Sequence, residues 1–96
     1  MLTLSNIQSI LLDYKPNLVE KYNISYLAVF GSVSRNENNE NSDIDILVDF
    51  TKPIGIGFID LADDLERILN QKVDLVSRNA IKPKYFEQIK SDLKYV

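Results

Sequence analysis

VFGSVSRNENNENSDIDILVDF, running from Val29 to Phe50, is the stretch on which the reading of this chain turns. It begins apolar, bends at Gly31-Ser32 and crosses an Asn- and Glu-rich run from Asn36 to Asn41. It then re-enters apolar sequence through Asp43-Ile44-Asp45. Carboxylates at the mouth of a stretch as apolar as Ile44, Ile46, Leu47 and Val48 are costly to desolvate unless something positive meets them. Side chains alternate along a strand, so Asp43 and Asp45 share one face while Ile44, Ile46, Val48 and Phe50 share the other. The two acids then stand roughly 6.6 Å apart along the strand, and a divalent cation fits between them. Magnesium takes oxygen ligands at about 2.0–2.1 Å, commonly one or two carboxylates plus substrate phosphates. The chain contains no His and no Cys, which disfavours zinc and copper and leaves a hard, oxygen-ligated ion.

Gly31-Ser32 falls where a strand gives way to a short helix, with ten residues between Ser32 and Asp43. Glycine lets the backbone approach a ligand without a Cβ in the way, and a helix start offers free N–H groups to a phosphate. Ser32 adds a hydroxyl donor. Arg35, one turn on, reaches either an anion or a neighbouring carboxylate. Asp74 lies within Val73-Asp74-Leu75-Val76, a strand of its own, and is the third acid expected on the same face. Three acids on one side of a small sheet suit a two-metal site, and one of them is placed to act as general base.

Outward from this centre the chain alternates helical and extended patterns. Ile7, Ile10, Leu11, Tyr14 and Leu18 follow helical spacing, with Ser5 as the expected N-cap and Pro16 as the expected end or kink. Tyr26 to Phe30 and Ile44 to Phe50 read as strands. Asn36 is placed to end the short helix in a left-handed conformation. Phe58, Leu61, Ala62, Leu65, Ile68 and Leu69 make the strongest helical stripe, and Asp63, Asp64 and Glu66 read as its solvated face. Asp49 reads as a strand-end turn residue. Pro83 opens a last helix with Tyr85, Phe86, Ile89 and Leu93 on its apolar side. The order predicts an α/β (α+β) fold, a small mixed sheet flanked by helices, with residues 1–96 as one domain. The composition is 45% hydrophobic and 26% charged with a net charge of −3, which argues against a nucleic-acid surface and for no direct nucleic-acid binding. The N-terminus has neither a basic lead nor a long apolar run, so no membrane segment is expected there, and the absence of cysteine fits a cytoplasmic protein.

Gly31-Ser32, then ten residues, Asp43-Ile44-Asp45 and the later Val-Asp-Leu-Val resemble the signature of the DNA polymerase beta nucleotidyltransferase superfamily. The compactness resembles its shortest branch, the minimal nucleotidyltransferases that act as antitoxins to HEPN-domain toxins. The resemblance implies that Gly31 and Ser32 hold nucleotide phosphates, and that Asp43 and Asp45 hold Mg2+ with Asp74 as third acid; Arg35 stays a candidate for a phosphate contact from its own position. It also implies transfer of AMP from ATP to a tyrosine of a partner HEPN toxin. Two departures stand out: Asn36 follows Arg35 where glycine is usual, and Asn70 stands where Leu-Gly often precedes the third strand. Asparagine tolerates the same left-handed backbone.

A second reading is an antitoxin that neutralises its toxin by binding and occlusion, with the acidic pocket kept as a docking surface. Transfer to a small molecule ranks below both, since no second domain for an acceptor is evident.

Overall fold

The computed structural model describes residues 2–96. Helix α1 spans Leu4–Tyr22, strand β1 Ile24–Phe30, short helix α2 Gly31–Ser34, β2 Ile44–Phe50, α3 Gly57–Leu69, β3 Val73–Ser77 and α4 Pro83–Ile89. A 3-10 turn, Lys90–Asp92, leads into β4, Lys94–Tyr95. The four strands form one sheet in the order β3-β2-β1-β4. β2 runs antiparallel to β1 and parallel to β3, and β4 runs antiparallel to β1. The sheet is mixed, as expected. No described helix is long and apolar enough to cross a membrane.

Alternation along the strands gives the sheet two faces. Leu27 and Val29 of β1, Ile44, Ile46 and Val48 of β2 and Val73 of β3 face α1 and α3, which contribute Ile7, Leu11, Leu18, Leu61 and Leu65 to one buried cluster. The opposite face carries a second, smaller cluster of Phe30, Leu47 and Ile89, with Tyr26, Val76, Phe86 and Leu93 packed against it. Leu47 points to the same side as Asp45, and α4 covers it. The carboxylates therefore stand beside an apolar patch rather than on an open surface.

Helix α1 departs from expectation at both marks. Its N-cap is Thr3, whose side chain accepts from the Asn6 amide while Asn6 reaches back, a capping box two residues earlier than Ser5. The helix also runs through Pro16 to Tyr22. A proline inside a helix costs about 3 kcal/mol, and each fully buried large apolar side chain returns roughly 1.5–3 kcal/mol. Leu18 and Tyr22, both buried beyond Pro16, outweigh the break. Pro16 and Leu12, four residues before it, are both exposed, so water reaches the Leu12 carbonyl that loses its partner.

Three asparagines hold left-handed backbone at the ends of elements: Asn23 (φ 56°), Asn36 (φ 59°) and Asn70 (φ 51°). Asn36 and Asn70 do what glycine does at those places. Four side chains behave otherwise than their spacing suggests. Tyr85 is 44% exposed and Leu93 lies past the end of α4, leaving Phe86 and Ile89 as its inward residues. Asp64 is no solvated residue: it takes hydrogen bonds from Tyr22, from Lys21 (3.0 Å) and from Arg67 (2.6 Å), joining α1 to α3. Those bonds, with the Tyr22 hydroxyl foremost, hold its carboxyl well below the usual range. Glu66 accepts the Val73 amide at 2.9 Å and so ties α3 to the start of β3. Asp49 accepts from the Phe50 amide at 2.9 Å, in keeping with a strand-end role.

Candidate active site

Three segments meet at one end of the sheet: the close of β1, the opening of β2 and the opening of β3. Because β1 and β2 are antiparallel, Phe30 lies opposite Asp45, and Gly31 follows at once. Because β2 and β3 are parallel, Asp45 pairs directly with Asp74. Residues so paired project to the same side, which brings two carboxylates together.

Burial pushes the Asp45 carboxyl up from 3.8 to about 6. The neighbouring Asp74 charge and a hydrogen bond shared with it add to the rise, and Asp43 contributes a smaller repulsion. Arg35 lowers it slightly. The physical picture is of a half-buried carboxyl beside like charges, with too little positive charge near it to offset either. Asp74 is exposed, and so is Asp43, which sits just before β2 at the mouth of the strand.

Gly31 carries φ 75°, a backbone that other residues adopt with strain. A Cβ placed on it would fall 2.1 Å from Asp45 Oδ2. The bend and the acid are thus in direct contact, and only hydrogen fits between them. Ser32 is half-buried at the first turn of α2. Its carbonyl accepts from the Glu37 amide at 2.8 Å.

Arg35 points elsewhere. Its guanidinium pairs with Asp92 at 2.6 Å and Glu37 at 3.0 Å, the carboxylate alternative of the two roles its position allows. Ser34, which spacing alone did not single out, is buried and donates to the Asp92 carbonyl. Together they pin the end of α2 to the 3-10 turn.

The donor set is carboxylate oxygen alone, which suits magnesium or manganese. Among the described residues no group of three acidic side chains is placed to hold a metal ion. That arrangement is ordinary for magnesium, which completes its shell with substrate phosphates and water. The crowded Asp45 and Asp74 are the kind of pair a cation relieves. A cavity of about 520 Å³ lies at the far end of β2 and β3, lined by Phe50, Pro53, Phe58 and Leu75 among others. Its walls are mainly apolar, and none of the acidic residues of the site lines it.

Residues 13–96 match the family described as Polymerase beta, Nucleotidyltransferase. The candidate protein adenylyltransferase MJ0128 of Methanocaldococcus jannaschii is 48% identical over 98 aligned positions, covering 100% of both chains. Protein adenylyltransferase MntA of Thermococcus cleftensis is 41% identical over 97 positions, covering 100% of this chain and 98% of that one. A crystal structure of a toxin-antitoxin with AMP-PNP superposes with TM-score 0.72 at 27% identity, over 86% of this chain and 69% of that one.

Proposed function

The chain belongs to the polymerase beta nucleotidyltransferase family, and from that premise we propose that it is a protein adenylyltransferase. Its substrates on this reading are ATP and a tyrosine hydroxyl of a HEPN toxin, which it silences as the antitoxin. Residues 1–96 work as one minimal nucleotidyltransferase domain in the cytoplasm, where ATP is at hand. The observation that carries the reading is the register that sets Asp45 beside Asp74 with the Gly31 backbone against Asp45.

Each residue has a part. Gly31 lets the triphosphate lie close to the main chain, and the Ser32 hydroxyl donates to a phosphate oxygen. Asp43, Asp45 and Asp74 would hold Mg2+ together with phosphate oxygens, and when bound it would supply charge neutralisation around the phosphates. Asp74, the exposed member of the pair, accepts the proton of the incoming tyrosine. The tyrosine oxygen bonds to the α-phosphorus, the bond to the β-phosphate oxygen breaks, and pyrophosphate leaves. Positioning and charge supply most of the rate in such transfers. Arg35 stays in its ion pairs and acts at a distance.

Purified protein, the toxin and ATP labelled at the α-phosphate test this directly. Label is expected on the toxin, dependent on Mg2+. Absence of label, with toxin activity still blocked, would favour occlusion.

A further inference from the structure

Asp43 stands one residue before β2, so its place depends on what holds its neighbours. On one side, the Ile44 amide donates to the Lys72 carbonyl at 2.9 Å. On the other, Gln71 Nε2 donates to the Ser42 carbonyl at 3.0 Å in a partly buried bond. Both partners belong to the two residues that lead into β3, whose second residue is Asp74. One short segment therefore grips the chain on either side of Asp43 and also carries Asp74.

Gln71 is itself anchored. Its amide donates to the Glu66 carbonyl at 3.3 Å at the end of α3, and the Glu66 carboxylate accepts the Val73 amide at 2.9 Å. The far side is a closed turn. The Ser42 amide donates to the Asn39 carbonyl at 3.1 Å, the Asn39 amide to Ser42 Oγ at 3.0 Å, and the Asn41 amide to Asn39 Oδ1 at 2.8 Å. The Asn- and Glu-rich run is thus a built loop delivering Asp43, and Gln71 is the side chain that joins its end to the β3 segment.

We propose that Gln71 is a positioning residue whose side-chain amide fixes the backbone at Asp43, and so the place of that carboxylate at the mouth of β2 beside the Asp45–Asp74 pair. The inference rests on the acidic site of the preceding subsection. Groups that orient carboxylate ligands typically change metal affinity by about 10–100-fold when removed.

The test uses the full chain and Gln71→Met and Gln71→Leu, neutral variants without the donor. Mn2+ is titrated as a paramagnetic probe with AMP-PNP present, alongside AMP-PNP binding without metal and thermal unfolding. Both variants are expected to bind Mn2+ about tenfold more weakly, with metal-free AMP-PNP binding unchanged and the unfolding midpoint lowered by only the roughly 4–8 °C that one lost hydrogen bond costs. A structural role alone would lower the midpoint and both affinities together. Unchanged Mn2+ affinity in both variants, or a loss that follows the loss of folded protein, overturns the inference. Wild-type chain that takes up no Mn2+ with AMP-PNP would instead sink the acidic site itself, and this inference with it.

Discussion

Gly31 and Asp45 touch: a methyl group on Gly31 would fall 2.1 Å from Asp45 Oδ2. The glycine at the bend and the acid on the next strand are therefore one feature. Gly31→Ala meets both the positive φ and the carboxylate, and is expected to lower stability by about 1–2 kcal/mol. Since Asp45 must swing away, adenylyl transfer should fall by roughly 100-fold or more, as when a reacting group is misplaced by about 1 Å. Urea unfolding and initial rates check the two effects separately. A variant that keeps its rate would show that Asp45 can move without consequence.

Asp45 makes stability depend on pH in a direction that can be worked out. Its folded value of about 6 lies above the ordinary 3.8, so between those values the folded chain holds more proton than the unfolded one. Stability from this group is fully present below the lower value, falls as pH rises toward the upper, and stays low beyond it. The full shift corresponds to about 3 kcal/mol, which solvent at a half-buried site reduces to roughly 1–2 kcal/mol. Asp45→Asn is expected to be more stable than wild type at neutral pH by that amount, with the gap closing in acid. Paired unfolding curves from pH 4 to pH 8 measure it.

Asp64 works in the opposite sense. Its depressed carboxyl adds stability above the ordinary carboxylate range that is lost as pH falls through and below it. Asp64→Ala leaves the buried Tyr22 hydroxyl without its acceptor and should cost about 1–2 kcal/mol at neutral pH. Calorimetry at pH 7 and pH 3 should show the difference shrinking in acid.

Arg35 sits in two ion pairs at the surface, and such pairs contribute about 0–1 kcal/mol. Arg35→Gln is expected to change stability by no more than that and to leave KM for ATP within about twofold. A large rise in KM would move Arg35 onto the phosphates.

Much of this was legible in the sequence because it rests on local rules. Period-two alternation places Ile44, Ile46 and Val48 inside and Asp45 outside, and the stripe from Phe58 to Leu69 draws α3. Asn36 and Asn70 take the left-handed turns that glycine would. What was not legible depends on partners far along the chain. Asp64 reads as solvated until Lys21 and Tyr22 of α1 come beside it. Pro16 reads as a break until the burial of Leu18 and Tyr22 is weighed against it. β4 is two residues long and exists only because β1 offers an edge. The second cluster did leave a trace, since Leu47 and Val76 fall on the same side as Asp45 and Asp74. Thr3 and Asn6 likewise carry the spacing of a capping box.

The most direct test is the mass of the toxin recovered after co-expression with this chain and with its Asp43→Asn/Asp45→Asn variant. The account predicts AMP on a toxin tyrosine with the wild-type chain and none with the folded double variant. An unmodified toxin with the wild-type chain, or equal modification with both, would contradict it.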